Sequence, residues 1–437
     1  MTRLNEAKWD VVVIGAGAAG LLAAARCAEL GCRTLLLEKN RKPGVKILMS
    51  GGTRCNLTHN TDAAGIMQAF GKKGRFLRTA LHLLGPRDVV ELFRQEGVET
   101  KVEETGKIFP ESDRALDVQQ ALLARLKRSG ATLQLDTGVS GIDKSESGFV
   151  VHTAESSVHS TYLIVSTGGA SFPGCGTTGD GYAWFRSLGH KIVPPRPSLV
   201  PLTTRDHWVA ELSGLTLPDV LVRVMPRNMW PTDNDPPTRL SALRKKSIDE
   251  RRGSLLFTHT GLSGPSILDV SRSVTAQADM TSVEIVLDLL PDRSFDEIDE
   301  WWRRACAEHG SRSIGRMFGE LVPQRLAEAI LRIEHLSLDL RGAELTKPAR
   351  RSLAARVKSL CISVSGTRGF EKAEVTAGGV SLDEIDPRTM ASKIVPRLYA
   401  IGEVLDLDGW IGGFNFQSAF STACLAAESI NAARNSE

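Results

Sequence analysis

The chain carries a glycine pattern whose spacing suits phosphate binding. Gly15, Gly17 and Gly20 form GxGxxG. The pattern lies between a predicted buried strand at residues 10–14 and a predicted helix at residues 21–30. In such a turn the first glycine permits a tight bend, the second lets backbone approach a pyrophosphate, and the third lets helix and strand pack closely. The free N–H groups at the helix start would face the phosphates, so the pattern predicts a dinucleotide site.

A carboxylate follows at the distance that dinucleotide binding requires. Glu38 ends the second predicted strand, residues 33–37, and lies 18 residues beyond Gly20. A carboxylate in this place can accept the ribose hydroxyls and disfavours a 2′-phosphate, which argues against NADP. A tight turn without a ligand is the alternative, but the order of strand, glycines, helix, strand and acidic residue favours a binding site. These residues alone do not choose between NAD and FAD.

A polar, glycine-rich segment past Glu38 favours FAD. Residues 39–56 include small residues at 50–52 that could bring backbone donors to a ligand. NAD dehydrogenases do not need such a segment, whereas an extended FAD continues past its ribose into a ribityl chain and a flavin. Lys46 and Arg54 could offer positive charge to phosphate or to a reduced, anionic flavin. The segment therefore predicts FAD as the cofactor.

The motif GxKxxxSGGxRCN at residues 44–56 resembles the signature of the HI0933-like flavoproteins, a family that includes the BaiN-type reductases. Further stretches that match the family pattern lie at 258–265, 373–380, 399–406 and 412–417. The resemblance covers essentially the whole chain, with its motifs in order. It implies an FAD-dependent oxidoreductase and, in at least some members, reduction of a carbon–carbon double bond.

Two positions depart from the family pattern. Thr53 stands where the family usually has glycine, and its side chain would reshape the edge that meets the flavin. Trp410 and Ile411 stand where members more often have Pro-Thr. Because that loop would lie near the flavin, substrate preference is expected to differ from that of such members.

The remaining predicted cofactor elements are at the C-terminus. A strand at 397–401 is followed by Glu403 and Asp406, either of which could hold a ribityl hydroxyl. A helix is predicted from about 417 to 433. N–H groups near residues 415–417 could face the flavin pyrimidine, where reduction builds negative charge.

The predicted FAD contacts therefore span both ends of the chain. They include the end of a strand at 162–166, whose small residues would return to the adenine half. The predicted contacts are Gly15, Gly17, Ala18, Ala19, Gly20, Glu38, Lys39, Lys46, Ser50, Gly51, Gly52, Arg54, Cys55, Asn56, Val139, Thr167, Gly168, Gly169, Gly402, Glu403, Asp406, Gly413, Asn415, Phe416 and Gln417. No metal site is predicted.

A second GxGxxG, at 174–179, favours a different interpretation. It could be a site for NAD(P)H, but Pro173 separates it from the preceding strand, and no acidic residue follows the next predicted strand near 192–193. A helix start at 179–180 within a loop explains it better. We expect NAD(P)H either to bind transiently over the flavin or to be replaced by another donor.

Two side chains are candidates for chemistry beyond that of the flavin. His259 lies in the glycine-rich stretch 258–265, and because histidine is a residue type commonly used for proton transfer it is the first candidate for a proton donor. A structural histidine in a tight loop is an equal alternative. Cys55, beside Arg54, is more readily a packing residue than a redox group.

Composition restricts the class of protein. The 437 residues are 42% hydrophobic and 24% charged, which excludes a disordered or collagen-like chain. Seven scattered cysteines without a CxxC pair are expected to be reduced thiols of a cytoplasmic protein. The uncharged run at 11–25 resembles a secretory signal, but Asp10 precedes it and glycines interrupt it. No membrane association is predicted.

Because the N- and C-terminal cofactor motifs must meet, the middle of the chain is expected to be an insertion. We predict an α/β fold, with a Rossmann-like FAD-binding domain and a nested insertion of a small β-barrel domain and a helical subdomain. The predicted bounds are 1–193 and 376–437 for the FAD-binding domain, 194–293 and 359–375 for the β-barrel-like domain, and 294–358 for the helical subdomain. The elements predicted in the insertion are strands at 199–202, 219–224, 254–257 and 283–287 and helices at 295–309 and 324–333.

The insertion is locally basic, although the formal net charge of the chain is only +3. Residues 223–252 hold eight Lys or Arg against four Asp or Glu, and residues 311–358 hold ten against five. A solvated face is the simpler interpretation, and a footprint for RNA is the functional one. Aromatic residues that could stack on single-stranded bases are few there, despite Trp208 and Trp230.

Three hypotheses follow for the function. The first is a flavin-dependent reductase that transfers hydride from the reduced flavin N5 to a small unsaturated molecule. The second is a flavin-dependent reductase of a base in structured RNA, which the basic insertion would bind. The third is a flavin redox sensor without turnover.

Overall fold

The computed structural model of the protein describes residues 8–227 and 246–436. The chain divides into two compact units. The first unit is Met1–Pro197 together with Phe370–Glu437, and the second unit is Ser198–Gly369. The second unit is therefore inserted in sequence between two parts of the first. The three domain ranges given above stay predictions.

The secondary structure of the described residues is as follows. The strands are β1 (Trp9–Ile14), β2 (Thr34–Leu37), β3 (Thr58–His59), β4 (Thr100–Val102), β5 (Lys107–Pro110), β6 (Thr132–Gln134), β7 (Val139–Ser145), β8 (Gly148–Thr153), β9 (Ser157–Val165), β10 (Ile192–Ser198), β11 (Leu202–Thr203), β12 (Thr216–Pro226), β13 (Asp249–Thr258), β14 (Gly261–Ser263), β15 (Val283–Asp288), β16 (Leu360–Ser363), β17 (Gly366–Thr367), β18 (Val375–Val380) and β19 (Leu398–Ala400). The α-helices are α1 (Ala18–Glu29), α2 (Val45–Met49), α3 (Ala63–Ala69), α4 (Arg78–Leu83), α5 (Pro86–Gln95), α6 (Ala115–Ser129), α7 (Asp180–Ser187), α8 (His207–Glu211), α9 (Pro265–Thr275), α10 (Phe295–Glu308), α11 (Ile314–Phe318), α12 (Gln324–Ile333), α13 (Lys347–Lys358) and α14 (Phe414–Arg434). Short 3₁₀-helices lie at Gly71–Leu77, Pro173–Cys175, Met280–Ser282, Gly342–Glu344, Leu382–Glu384 and Gly402–Val404.

A mixed sheet of seven strands forms the centre of the first unit. Its order is β6-β2-β1-β9-β8-β7, and β19 also pairs with β9. The parallel pairs are β2 with β6, β1 with β2, β1 with β9, and β9 with β19. Strands β8 and β7 extend the sheet from β9 in antiparallel order. β1 and β2 are continuous apolar runs, as strands covered on both faces should be. The carboxyl ends of β1, β2 and β9 meet at one edge, where open α/β sheets bind ligands.

Helices α1 and α14 pack against each other in the first unit, although they come from opposite ends of the chain. α1 reads AAGLLAAARCAE, and its small side chains let the two helices approach closely. Arg26 of α1 also donates to Glu428 of α14, with Nη2 and Oε1 2.5 Å apart. This packing holds the C-terminal segment beside the glycine turn that begins α1.

An antiparallel sheet of seven strands forms the second unit, in the order β16-β15-β12-β13-β14-β11-β17. Helices α10 to α13 pack on the same hydrophobic core as these strands. Trp302 and Phe318 from the helices and Ile285 from β15 are all fully buried in it. Closure of this sheet into a barrel stays a prediction.

Most elements predicted in the insertion are confirmed. The predicted strands at 219–224, 254–257 and 283–287 fall within β12, β13 and β15, and the predicted helices at 295–309 and 324–333 correspond to α10 and α12. The strand predicted at 199–202 is wrong. Leu199 has φ +51°, a left-handed conformation that interrupts the extended chain between β10 and β11.

The second GxGxxG motif, at residues 174–179, leads into a helix. The helix start predicted at residues 179–180 is confirmed, because α7 begins at Asp180 and Gly179 caps it with φ +77°.

Within residues 8–227 and 246–436, no helix combines the length and the apolar character needed to cross a membrane.

Candidate FAD site

The glycine turn between β1 and α1 has the shape of a pyrophosphate cradle. A Cβ added at Gly17 would meet no protein atom within 4 Å, so the backbone there is open to a ligand. Leu21 makes the first intrahelical bond of α1, donating to the Gly17 carbonyl at 3.0 Å. The N–H groups of residues 18–20 therefore have no helical partner, and no side chain caps them. Free donors at the positive end of a helix fit the phosphates of a dinucleotide.

Glu38 is held beside this turn at the end of β2. Its Oε2 accepts from the Ala16 N–H at 2.8 Å, and its Oε1 accepts from the Asn40 N–H at 2.9 Å. Both carboxylate oxygens keep further lone pairs, which can accept ribose hydroxyls. The neighbouring Lys39 donates instead to Asp180, with Nζ and Oδ2 2.5 Å apart. Its direct contact with FAD stays a prediction.

Lys46 and Glu403, which lie 357 residues apart in sequence, form an ion pair of 2.6 Å. Ser171 joins them, since its hydroxyl accepts from Lys46 Nζ at 2.7 Å and donates to Glu403 Oε1 at 2.9 Å. The Thr376 N–H also donates to Glu403 Oε1 at 2.9 Å. The structure thus brings two predicted cofactor residues into one network, with Ser171 and Thr376 as members that the sequence did not suggest.

The residues after β9 also lie at the ligand edge of the sheet. Thr167 has a buried hydroxyl without a hydrogen-bond partner among the described residues. Gly168 has φ +72°, and a Cβ at Gly169 would collide with the Thr376 hydroxyl. An orphaned buried hydroxyl next to close-packed glycines is consistent with a ligand in this place. Val139, the other residue predicted in this part, begins β7.

The segment 50–56 winds through several left-handed conformations. Gly51 and Gly52 have φ of +56° and +68°, which glycine adopts without strain. Thr53 has φ +70° and Cys55 has φ +61°, conformations that are costly for side chains with a Cβ. The glycine that the family usually has in place of Thr53 would remove that strain.

The charged and polar side chains of this segment are paired within the first unit. Arg54 Nη1 donates to Glu103 Oε1 at 2.6 Å, and its guanidinium lies 3.9 Å from the centroid of the Phe109 ring. Asn56 is buried, and with its amide oriented to satisfy its neighbours, Nδ2 donates to the Thr58 carbonyl and Oδ1 accepts from the Gly413 N–H. These residues therefore support the loop, and their direct contact with FAD stays a prediction.

Cys55 is fully buried between these residues. Burial raises the pKa of its thiol to about 12. A thiol with this pKa stays protonated at neutral pH and is a poor nucleophile, which favours packing over a redox role. Ser50 lies near it, and its hydroxyl donates to the Ile47 carbonyl at 2.7 Å.

The C-terminal helix begins close to segment 50–56. Gly413 caps α14 with φ +90°, and a Cβ there would lie 2.5 Å from the Thr58 carbonyl oxygen. The N–H groups of residues 414–416 precede the first helical bond, which Gln417 donates to the Gly413 carbonyl at 3.0 Å. Three free donors at a helix start can stabilise negative charge on a flavin pyrimidine.

The backbone N–H and the side chain of Gln417 both have hydrogen-bond partners in the first unit. Helix α14 starts at Phe414, three residues earlier than predicted, so the Gln417 N–H lies inside the helical hydrogen-bond ladder. Its fully buried side chain accepts from Thr58 Oγ1 at 2.5 Å and donates to the Leu84 carbonyl at 2.9 Å. Its Nε2 also donates to the Ser421 hydroxyl at 2.9 Å, so Gln417 ties α14 to its neighbours, and its direct contact with FAD stays a prediction.

The loop before α14 is closed by two further predicted residues. Asn415 Oδ1 accepts from the Gly409 N–H at 2.8 Å, and its Nδ2 donates to the Gly409 carbonyl at 3.1 Å. Asp406, nine-tenths buried, forms an ion pair of 2.6 Å with Lys73. The loop 406–415 is thus fixed at both ends in the first unit.

His59 is a residue of this region that the sequence did not suggest. Its Nδ1 donates to the Gly412 carbonyl at 3.1 Å, and its ring stacks on Phe414 with centroids 4.7 Å apart. Burial lowers its pKa. The only sequence signal was its place three residues beyond the RCN motif.

His259, the predicted proton donor, is exposed in the turn between β13 and β14 of the second unit. The Thr258 hydroxyl of the same turn donates to the Gly261 carbonyl at 3.0 Å. A catalytic role for His259 stays a prediction.

Most cations of the insertion have acidic partners in the second unit. Arg252 contacts Asp219 and Asp292, each at 2.6 Å. Further ion pairs are Arg223–Glu250, Arg303–Glu300, Arg312–Glu320, Arg332–Glu211, Arg350–Asp299, Arg356–Glu334 and Lys358–Asp288. Arg239, Arg244, Lys245 and Trp230 lie outside the described residues. The positive charge counted from the sequence is therefore largely compensated where the structure describes it.

The parallel part of the mixed sheet, the open glycine turn and the carboxylate after β2 define a Rossmann-type dinucleotide-binding protein. The chain belongs to the HI0933-like family, since the family model described as HI0933-like protein Rossmann domain matches residues 9–429. It is a flavin-dependent oxidoreductase with an FAD-binding α/β fold.

Relatives are similar to this chain over nearly its whole length. The ribosomal RNA dihydrouridine synthase of Escherichia coli is 32% identical, covering 98% of this chain and 100% of its own. The protein of the same name from Haemophilus influenzae is 34% identical, covering 96% and 98%. The 3-dehydro-bile acid delta(4,6)-reductase of Clostridium scindens is 28% identical, covering 95% and 97%.

Among solved structures, the Sdh1 complex of Mycobacterium smegmatis in its apo form has a similar fold. The two chains are 14% identical with a TM-score of 0.50, over 98% of this chain and 69% of that chain. At this identity the likeness concerns the fold alone.

Proposed function

We propose that this protein is an FAD-dependent reductase that saturates the C5–C6 double bond of a uracil base in ribosomal RNA. The observation that carries the proposal is full-length similarity, at 32% and 34% identity, to two relatives named ribosomal RNA dihydrouridine synthase. A relative named for a steroid-like small molecule is 28% identical. Both kinds of relative act on a carbon–carbon double bond, so the reaction class is shared and the substrate is the point in question.

The reaction adds one hydride and one proton across the double bond. FAD, when bound and reduced, supplies the hydride from its N5, and a two-electron donor such as NAD(P)H must first reduce it. The free N–H groups of residues 18–20 would hold the pyrophosphate, and Glu38 would hold the ribose. The free N–H groups of residues 414–416 would stabilise negative charge on the reduced ring.

Two hydrogen bonds fix the loops that would lie near the flavin ring. The Asn56–Gly413 bond joins the segment 50–56 to the start of α14, and the His59–Gly412 bond adds a second tie. The proton donor is a side chain or a water molecule, and His259 remains the first side chain to test.

The experiment uses the FAD-loaded protein, ribosomal RNA from a strain that lacks its gene, and NADH or NADPH without oxygen. Mass spectrometry of the digested RNA should detect a uridine that has gained two hydrogens. Ribosomal RNA from a strain that retains the gene is the control and should gain little. If the RNA stays unchanged while an unsaturated steroid ketone is reduced, the substrate assignment is wrong and the small-molecule reductase is the better proposal.

A further inference from the structure

The first unit contains a basic segment between Asp62 and Asp88, although the net charge of the whole chain is only +3. Between Asp62 and Asp88 the sequence has no acidic residue at all. The same stretch carries the cations Lys72, Lys73, Arg75, Arg78 and Arg87, together with His82. The positive charges of this segment therefore have no acidic residue near them in the sequence.

Two of these cations, Lys72 and Arg75, lie on one face of a 3₁₀-helix, and Arg78, the first residue of α4, follows directly at the same spacing. Residues Gly71–Leu77 form a 3₁₀-helix, in which three residues complete a turn. Lys72, Arg75 and Arg78 are spaced by three and all are exposed, whereas Gly74 and Leu77 between them are buried. At a rise of about 2.0 Å per residue, the Cα atoms of Lys72 and Arg75 are displaced by about 6 Å along the helix axis. We call these three residues the basic face.

The basic face has no partner among residues 8–227 and 246–436. None of the three side chains makes an ion pair or a hydrogen bond there, in contrast to Arg223, Arg252, Arg303 and Arg312 of the second unit. The two acids that flank the segment are engaged elsewhere. Asp62 Oδ1 accepts from the Gly65 N–H at 2.8 Å, and Asp88 Oδ2 accepts from the Gly85 N–H at 2.7 Å.

The segment also lies next to the loop that is predicted to meet the flavin. Lys73, directly after Lys72, is ion-paired with Asp406 at 2.6 Å. The Phe70 ring packs on Gly409, since a Cβ there would lie 2.8 Å from its Cζ. Helix α4, which continues the segment, packs on α14. A nucleotide that reached the loop 406–415 would therefore place its flanking phosphates close to the basic face.

We propose that the basic face binds the sugar–phosphate backbone of the RNA substrate next to the base that is reduced. The inference rests on the proposed function, and it locates the RNA contact on the first unit instead of on the basic insertion. Phosphate contacts of this kind orient a nucleic acid without reading its sequence. The three side chains are guanidinium or ammonium groups without competing carboxylates, as such contacts require.

The test compares two triple variants of the FAD-loaded protein that lose the same charge. One is Lys72→Gln/Arg75→Gln/Arg78→Gln. The control is Arg303→Gln/Arg312→Gln/Arg332→Gln, which removes three exposed arginines that have acidic partners in the second unit. Binding to a single-stranded, uridine-containing ribosomal RNA fragment is measured across a range of salt concentrations. Dihydrouridine formation and FAD content are measured on the same preparations.

Removing three phosphate contacts to a single strand should reduce the slope of log K against log salt by about 2. The corresponding loss of affinity is about 100-fold at 0.1 M salt, while the control variant should bind nearly as the wild type does. FAD content should be unchanged in both. If the triple variant fails to fold, Arg75→Gln and Arg78→Gln alone should each reduce the slope by about 0.7.

Three results would overturn the inference. The first is wild-type RNA affinity in the basic-face variant, and the second is an equal loss in the control variant. The third is binding of the wild type to vesicles of anionic lipid but not to RNA. Failure of the proposed function is distinguishable, because then the wild-type protein forms no dihydrouridine whatever its variants bind.

Discussion

Replacing Gly17 by alanine should separate FAD binding from folding. Gly17 caps α1 with φ −78° and ψ −170°, which alanine adopts freely, and the added Cβ would have no protein atom within 4 Å. The apoprotein should therefore lose at most about 1 kcal/mol of unfolding free energy, since glycine is a somewhat better N-cap than alanine. The same methyl group would stand where the backbone must approach a pyrophosphate.

The loss of FAD affinity follows from the donors behind Gly17. The N–H groups of residues 18–20 have no helical partner, and hydrogen bonds to a charged group contribute roughly 1.5–3 kcal/mol each. Displacing the phosphates from one or two of them should cost about 3 kcal/mol. That free energy corresponds to a Kd for FAD about 100-fold higher than in the wild type.

Titration of the apoprotein with FAD, followed by flavin fluorescence, measures the affinity, and thermal melting of the apoprotein measures its stability. Gly20→Ala is the matched control. A Cβ there would lie 1.8 Å from the Gly15 carbonyl oxygen, so this variant should lose stability even without FAD. The reasoning is refuted if Gly17→Ala binds FAD as the wild type does, or if its apoprotein melts as early as that of Gly20→Ala.

Three further predictions concern strain, pH and thiol chemistry. Thr53→Gly should raise the Tm of the apoprotein, because relief of the left-handed φ of +70° by about 1–2 kcal/mol exceeds the entropic cost of glycine; a lower Tm would contradict this. Burial lowers the pKa of both His59 and His190, so the folded state binds fewer protons. The free energy of unfolding, measured from urea melts, should therefore have its full value above about pH 6.5 and should fall as the pH drops below 6.5. The fall should be less steep in His190→Asn than in the wild type. A free energy of unfolding that does not change with pH would rule out this effect of the two histidines. Cys55, whose pKa burial raises to about 12, should resist iodoacetamide in the native protein at pH 7 and react only after unfolding, and rapid native labelling would show that it is accessible and ionised.

The fold could be predicted because its strongest signals are local. The GxGxxG turn, the apolar runs before and after it and the C-terminal strand each involve fewer than about ten residues, and their physics does not depend on distant partners. The fold class that they indicate is confirmed, as is the family that the motif at residues 44–56 resembles. The strand predicted at 199–202 failed because the left-handed conformation of Leu199 leaves no trace in hydrophobic patterning.

The site was less predictable because its side chains are paired across long sequence distances. Nothing in the motif around Arg54 indicates that Glu103 takes its guanidinium, and nothing near Gln417 indicates that Thr58 and Leu84 take its amide. The boundary of α14 decided which N–H groups are free, and helix ends are the least readable feature of a sequence.

The basic face was missed for a related reason. Its three cations lie in a segment that the sequence analysis assigned to no element, and their exposure becomes known only once the 3₁₀-helix and α4 are placed. Counting charges instead drew attention to the insertion, where the structure pairs many of the arginines with acids.

The most direct test of the central proposal is a single turnover without NAD(P)H. The FAD-loaded protein is reduced chemically without oxygen and mixed with ribosomal RNA from a strain that lacks its gene. FAD-dependent reduction of a uracil base predicts that the oxidised flavin spectrum returns and that one dihydrouridine forms for each flavin oxidised. A flavin that stays reduced, or one that is reoxidised without any dihydrouridine in the RNA, would contradict it.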